Sequence, residues 1–115
     1  EALSGWAAER NIRLPVVPKG CLQSYHMYYL IVPSPRSRAA LIRHLKSRGI
    51  LGVFHYLPLH LSDMGRLYGG KPGDCPVTEY VSERLIRLPF YNNLDSESQG
   101  RVIQAIREFP WDAAR

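Results

Sequence analysis

The chain has 115 residues, of which 45% are hydrophobic and 22% charged. These values predict one folded domain and exclude a disordered, collagenous or coiled-coil polymer. Fifteen Lys and Arg against ten Asp and Glu give a formal net charge of +5, which leaves the binding of a polyanion open. The arginines are dispersed over the predicted helices instead of forming a stripe, so we expect solvated helix faces and no nucleic-acid partner.

The cysteines and the hydropathy pattern limit the cellular setting. Cys21 and Cys75 form neither a C-x-x-C pair nor a disulfide framework, which predicts free thiols in a reducing, cytoplasmic compartment. A disulfide between them stays open as the alternative. The longest mostly apolar run, residues 27–32, is too short to cross a bilayer, so we expect no membrane contact.

Residues 1–20 are predicted to form a leading helix and a linker. Leu3, Trp6 and Ala7 recur at helical spacing within residues 1–11. Two prolines and a glycine then interrupt the chain, which ends any regular element.

A strand, a helix and a second strand are predicted next. Residues 25–32 are rich in aromatic and β-branched side chains, which indicates a largely buried strand. Ser34 is placed to cap a helix that ends at Gly49. The apolar face of that helix consists of Leu41, Ile42 and Leu45. Residues 50–55 then indicate the second strand.

A long loop and two further helices complete the prediction. Residues 56–75 contain four glycines and two prolines, and an irregular segment of that length usually has a function. We expect a helix over 77–84 with Val77, Tyr80 and Val81 on its apolar face, then an extended segment over 85–89. Ser96 and Gln99 form a capping box that begins the last helix. The order predicts an α+β fold: a small sheet of antiparallel type with helices packed on one face.

Two imidazoles and a phenol are grouped where the second strand is expected to end. These are His55, Tyr56 and His60, and rigid scaffolds commonly present ligand-binding groups at such a position. The alternative is that they only satisfy local backbone groups. A zinc site would need a third ligand at fixed spacing, and His26 and Cys75 are too scattered, so no metal is predicted.

The residues also argue against two common catalytic designs. No serine lies in a G-x-S-x-G elbow, and neither cysteine stands beside a basic cluster, which excludes nucleophilic hydrolysis. The glycines of residues 69–73 lack the spacing and the strand-to-helix context of a phosphate-binding loop.

Several motifs occur in a fixed order along the chain. They are Leu14-Pro15-x-Val17-Pro18, Tyr25-His26-Met27-Tyr28-Tyr29, Gly49-Ile50, Val53-Phe54-His55-Tyr56-x-Pro58-Leu59-His60, Ser82-Glu83-Arg84-Leu85-x-Arg87-Leu88-Pro89 and the ending Gln99 to Ile106. Together they resemble the C-terminal domain of the DegT/DnrJ family of pyridoxal-phosphate-dependent sugar aminotransferases, over nearly the whole chain. The motifs around residues 53–60 and 82–92 are most similar to the dTDP-4-amino-4,6-dideoxygalactose transaminases.

The resemblance implies that residues 1–115 are the C-terminal small domain of a longer fold-type I aminotransferase. It implies amino transfer, from glutamate, to a dTDP-4-keto-6-deoxyhexose, with pyridoxal phosphate bound to a lysine of the large domain. Lys19, Lys46 and Lys71 do not follow the serine-rich context that the family uses. We therefore expect the fragment to hold no cofactor, to contain no catalytic residue and to be inactive alone. A free-standing module that binds a nucleotide sugar or a protein is the alternative.

The same resemblance implies roles for the candidate residues. His60, His55 and Tyr56 match family positions near the sugar end of the active site, where an imidazole or a phenol donates to sugar hydroxyls or the 4-keto oxygen. His26 matches a recurrent family histidine at the start of the first strand. The expected partners are the nucleotide sugar and the amino-acid donor. The full-length enzyme is expected to be a homodimer, and the fragment to self-associate through its uncovered apolar surface.

Overall fold

The computed structural model describes residues 2–111 and shows an α+β fold. Its strands are β1 (Tyr28–Ile31), β2 (Val53–Phe54) and β3 (Leu85–Leu88). Its helices are α1 (Ser4–Ala8), α2 (Pro35–Ser47), α3 (Asp63–Leu67), α4 (Pro76–Arg84) and α5 (Ser96–Arg107), with a 3₁₀ turn at Leu59–Leu61. Glu1, with which the predicted leading helix begins, lies outside the described residues.

The three strands form an antiparallel sheet in the order β1-β3-β2. Leu30 of β1 lies opposite Ile86 of β3, and both side chains are fully buried under the helices. The predicted class, a small antiparallel sheet with helices on one face, is confirmed. None of the helices between residues 2 and 111 has the length and apolar character needed to span a membrane.

Both outer strands are shorter than predicted. The first begins at Tyr28 instead of residue 25, because Tyr25 has a φ of 48° and the left-handed backbone there is not extended. The second begins at Val53 instead of residue 50. Ile50 lies just after the preceding helix and takes part in its C-terminal cap, since its N–H donates to the carbonyl of Leu45.

Helix α2 forms as predicted. The Ser34 side chain accepts from the N–H of Ser37, and Pro35 occupies the first turn. Leu41 and Leu45 are completely buried on the face that meets the sheet. Gly49 adopts a φ of 71°, the left-handed conformation that glycine accepts without strain, and ends the helix.

The core joins every layer of the domain. Its fully buried large side chains come from the sheet strands β1 and β3, from the residue after β1, and from helices α2 and α5: Leu30, Val32, Leu41, Leu45, Ile86 and Ile106. The leading helix is part of this core, because Leu3 and Ala7 are buried and the Trp6 ring lies edge-on to Trp111 with centroids 5.5 Å apart.

The prediction of an irregular loop over residues 56–75 is wrong. The segment contains the 3₁₀ turn and helix α3, whose N-terminus is capped by the Ser62 side chain accepting from the N–H of Gly65. The last helix begins one residue earlier than predicted. Its cap is Asp95 and not Ser96, since the Asp95 carboxylate accepts from the N–H of Ser98.

Two further expectations about side chains are wrong. Val77 and Tyr80 were expected on a buried face of α4, yet they are 75% and 43% exposed. Helix α4 meets α2 through another side, where Arg38 donates to the carbonyl of Ser82 at 2.6 Å. Arg38 is therefore not on a solvated helix face, and Arg87 lies on the central strand β3 instead of a helix.

Cys21 and Cys75 are exposed and unpaired, as predicted.

Candidate functional site

His55 and Tyr56 lie directly after β2, and their rings are in contact with centroids 4.9 Å apart. The Nδ1 atom of His55 is buried and has no hydrogen-bond partner among the described residues. Tyr56 is 77% exposed. The pair therefore presents a phenol at the surface beside a buried imidazole nitrogen. A buried polar atom without a hydrogen-bond partner costs free energy.

His60 lies in the 3₁₀ turn and is bound to helix α4. Its Nε2 is 2.9 Å from Oε1 of Glu79. The same carboxylate accepts from the backbone N–H of Gly73 at 2.8 Å and of Cys75 at 3.4 Å. The pKa of Glu79 lies below its ordinary value, first because of the hydrogen bond from His60 and further because of the two backbone donors. Only Nδ1 of His60 is then available to a ligand.

His26 lies in a different part of the surface. It is exposed, with Nδ1 3.3 Å from the hydroxyl of Ser24. It lines a groove of about 280 Å³ together with Arg87 and Tyr91. The structure thus brings the rings of His55 and Tyr56 into contact, and within the described residues no hydrogen bond or ring contact joins His26 or His60 to that pair.

Two polar residues of interest were missed by the sequence analysis. Glu79 follows a glycine-rich turn and lies in the first turn of helix α4. An acidic residue there is placed to accept from the N–H groups near the helix N-terminus, and this position could have indicated its role. Arg87 is half-buried on β3, opposite Tyr29 and Val53, and its guanidinium has no hydrogen bond or ion pair within residues 2–111. Successive side chains of a strand point to opposite faces of the sheet. Because Ile86 lies on the core face, this alternation could have placed Arg87 on the other face.

The lysines of the chain do not fit the attachment site of pyridoxal phosphate. Lys19, Lys46 and Lys71 are all exposed. Lys71 lies in a turn closed by Asp74, which accepts from its backbone N–H. Likewise, no group of three or more His, Cys, Asp or Glu side chains in the described part of the chain is arranged to hold a metal ion.

The antiparallel sheet with its covering helices, and the His55–Tyr56 pair that follows β2, occur in a domain that belongs to a known enzyme family. The model of the DegT/DnrJ/EryC1/StrS aminotransferase family matches residues 2–107. The chain belongs to that family.

Individual relatives agree with the family match. The chain is 32% identical over 110 residues to the dTDP-3-amino-3,4,6-trideoxy-alpha-D-glucose transaminase of Streptomyces venezuelae, covering 95% of this chain and 28% of that protein. It is 28% identical over 109 residues to the UDP-N-acetyl-3-dehydro-alpha-D-glucosamine 3-aminotransferase of Acidithiobacillus ferrooxidans, covering 90% of this chain and 28% of the relative. The chain spans about a quarter of the length of the curated relatives it matches.

Solved structures show the same domain. DesV of Streptomyces venezuelae superposes with a TM-score of 0.82 at 32% identity, over 94% of this chain and 29% of that one. The aminotransferase TlmJ of Streptoalloteichus hindustanus gives a TM-score of 0.77 at 30% identity, over 92% of this chain and 28% of its own.

Proposed function

We propose that this chain is the small C-terminal domain of a pyridoxal-phosphate-dependent nucleotide-sugar aminotransferase, whose large domain precedes residues 1–115. The main support for the proposal is the similarity to DesV in both sequence and structure, because 32% identity and a TM-score of 0.82 extend over 94% of the chain. The names of two relatives, a dTDP-sugar transaminase and a UDP-sugar aminotransferase, support a nucleotide-sugar substrate. The whole enzyme is proposed to be a cytoplasmic homodimer.

The proposed reaction moves the amino group of glutamate to the keto carbon of a dTDP-4-keto-6-deoxyhexose. Pyridoxal phosphate supplies the electron sink when bound, and the lysine that holds it belongs to the large domain. The exposed lysines of this chain support that assignment, and we expect the isolated chain to be inactive. The names of both relatives refer to position 3 of the sugar, whereas the motifs at residues 53–60 and 82–92 favour position 4.

Four side chains are proposed to bind the sugar nucleotide. The exposed phenol of Tyr56 donates to a sugar hydroxyl or to the keto oxygen, and His55 contributes beside it, since its ring is in contact with that of Tyr56. His60 contributes through Nδ1, because Nε2 is held by Glu79. His26 contributes from the groove that contains Arg87.

The test compares the full-length protein with the isolated chain. We expect the full-length protein to show the visible absorbance of bound pyridoxal phosphate and to aminate dTDP-4-keto-6-deoxyglucose with glutamate, and the isolated chain to be colourless. Amination of the 3-keto isomer alone would reject position 4. A colourless, inactive full-length protein would favour the binding module instead, and a coloured isolated chain would contradict the placement of the lysine.

The site residues are tested in the same assay. We expect Tyr56→Phe and His55→Gln to raise KM for the sugar nucleotide about tenfold, the effect of losing one hydrogen bond to a substrate. Tyr68→Phe is the matched control, because Tyr68 is an exposed tyrosine of the same segment to which no role is assigned. An unchanged KM in Tyr56→Phe would remove that residue from the site.

A further inference from the structure

Residues 56–75, here named the lobe, are organised by their own hydrogen bonds. Gly70 donates its N–H to the carbonyl of Gly65 at 2.9 Å, and the Ser62 hydroxyl donates to the carbonyl of Leu59 at 2.7 Å. Helix α3 packs on the 3₁₀ turn so closely that a Cβ on Gly65 would overlap the carbonyl of Leu59. The lobe is therefore a compact unit and not a loose connection.

The attachment of the lobe to the domain is concentrated at one residue. Every hydrogen bond that joins residues 56–75 to the remainder of the described chain involves Glu79 of α4. Its carboxylate accepts from His60, Gly73 and Cys75, and its own N–H donates to the carbonyl of Cys75 at 3.0 Å.

Apolar packing accounts for only part of that attachment. Pro58 is buried and Leu61 is partly buried. The other large apolar side chains of the lobe are between 61% and 85% exposed, and they are Tyr56, Leu57, Leu59, Met64, Leu67 and Tyr68. Because these six side chains bury little area against the domain, the hydrogen bonds to Glu79 contribute a substantial share of the attachment.

Glu79 also fixes the protonation pattern of His60. A carboxylate accepts and does not donate, so the Nε2 that lies 2.9 Å from Oε1 of Glu79 carries the hydrogen. In the neutral imidazole Nδ1 is then an acceptor, and the ring is held in one orientation.

We propose that Glu79 is a positioning residue: its carboxylate fixes the tautomer of His60 and holds the lobe that bears Tyr56 and His60 against helix α4. The consequence for turnover rests on the proposed function, whereas the attachment of the lobe does not. Loss of the carboxylate lets both side chains leave the geometry required for the sugar, and a displacement of this kind costs about 100-fold in kcat/KM.

The attachment is tested on the chain itself by NMR. In Glu79→Ala we expect the Gly73 amide to exchange with solvent at least about tenfold faster and the ¹⁵N shifts of His60 to lose the Nε2–H pattern. The amides of Leu30 and Ile86 in the core are expected to keep their protection. Glu83→Ala is the matched control, because Glu83 lies on the same helix and its carboxylate, within residues 2–111, is paired with Arg84 alone.

Two further variants keep the test decisive. If Glu79→Ala loses core protection, Glu79→Leu replaces it, because leucine favours the helix and has no oxygen to accept from Nε2, and we expect the His60 tautomer signature to change while the fold is retained. In His60→Ala the pKa of Glu79 is expected to rise toward its ordinary value, since the hydrogen bond from His60 is the largest cause of its lowering. An unchanged tautomer in a folded Glu79→Leu, or an unchanged Gly73 amide in a folded Glu79→Ala, would overturn the proposal.

The consequence for turnover is measured in the full-length enzyme. We expect Glu79→Ala to lower kcat/KM for the sugar nucleotide about 100-fold and Glu83→Ala to leave it unchanged. If the enzyme is no aminotransferase, the NMR results stand and only the proposed function fails. If the NMR results hold while kcat/KM of Glu79→Ala equals that of wild type, the positioning role in turnover is overturned.

Discussion

The imidazole Nε2 of His44 in α2 lies 2.8 Å from the carbonyl oxygen of Ala105 in α5. A carbonyl only accepts, so Nε2 carries the hydrogen and Nδ1 is left as an acceptor. Nδ1 is 3.1 Å from Nη1 of Arg48, which donates to it, and the ring lies edge-on to Phe109 with centroids 5.2 Å apart. One side chain therefore joins helices α2 and α5.

Removal of this side chain is expected to destabilise the domain. His44→Ala breaks the bond to Ala105, leaves a carbonyl unpaired and removes the packing on Phe109, which together lower the free energy of unfolding by about 2 kcal/mol. Urea denaturation at neutral pH measures the change. His26→Ala is the control, since His26 is exposed, and its effect is expected to stay within about 0.5 kcal/mol. A His44→Ala variant as stable as His26→Ala would show that the helix contact contributes nothing.

The elements predicted correctly are those whose causes are local in the sequence. Helix α2 has its cap, its apolar face and its terminating glycine within residues 34–49, so the pattern alone defines it. In α5 two adjacent residues, Asp95 and Ser96, both suit the cap, and the helix begins one residue earlier than the capping box indicated. Spacing along the chain does not decide between two neighbouring caps.

The hydrogen bonds that were missed join residues distant in the sequence. Residues 56–75 are bonded to helix α4 through Glu79, which lies 19 positions after His60, and no local pattern connects these two residues. The strand end at His55 and Tyr56 is a local feature and was found. The binding role of His55, Tyr56, His60 and His26 stays a prediction, because it rests on the family resemblance and not on a local pattern.

The cap of α5 makes a pH-dependent contribution to stability. Hydrogen bonding from the N–H of Ser98 is the main reason that the pKa of Asp95 lies below its ordinary value of 3.8. A carboxylate with a lowered folded pKa stabilises the native state above about pH 4, and the contribution is lost as the pH falls through the folded pKa. Asp95→Ala is therefore expected to lower the thermal midpoint by about 4 °C at pH 7 and by progressively less below pH 4.

Thermal unfolding of three proteins across this pH range tests the role of the charge. Asp95→Asn keeps a capping oxygen without the carboxylate, so it should stay close to wild type in midpoint at pH 7 and lose the acid dependence that belongs to Asp95. An offset between wild type and Asp95→Ala that is constant from pH 7 to about pH 2 would contradict an ionised cap.

Two helical glycines are expected to respond in opposite directions to alanine. A Cβ at Gly65 in α3 overlaps the backbone of Leu59 and His60, so Gly65→Ala lowers the free energy of unfolding by about 1–3 kcal/mol. A Cβ at Gly100 in α5 meets nothing within 4 Å, so Gly100→Ala raises it by about 0.5–1 kcal/mol through helix propensity. Urea denaturation measures the free energy of unfolding of both variants. If both substitutions change it by the same amount and in the same direction, α3 does not pack closely on the 3₁₀ turn.

The exposed apolar surface of the lobe is expected to make the isolated chain self-associate. Contiguous apolar side chains that a soluble monomer leaves uncovered favour association, and those of the lobe come from a single short segment. Static light scattering over a concentration series should therefore give an apparent mass that rises above 13.1 kDa.

The double variant Leu59→Ser with Leu67→Ser tests whether the lobe is the surface responsible. These side chains are 84% and 77% exposed, so the change removes apolar area without opening a cavity in the core. We expect the variant to need a several-fold higher concentration for the same rise in mass. Leu22→Ser is the control, because Leu22 is fully exposed but lies outside the lobe. Wild-type chain that stays strictly monomeric at the highest concentration, or an equal effect of Leu22→Ser, would show that the lobe does not drive association.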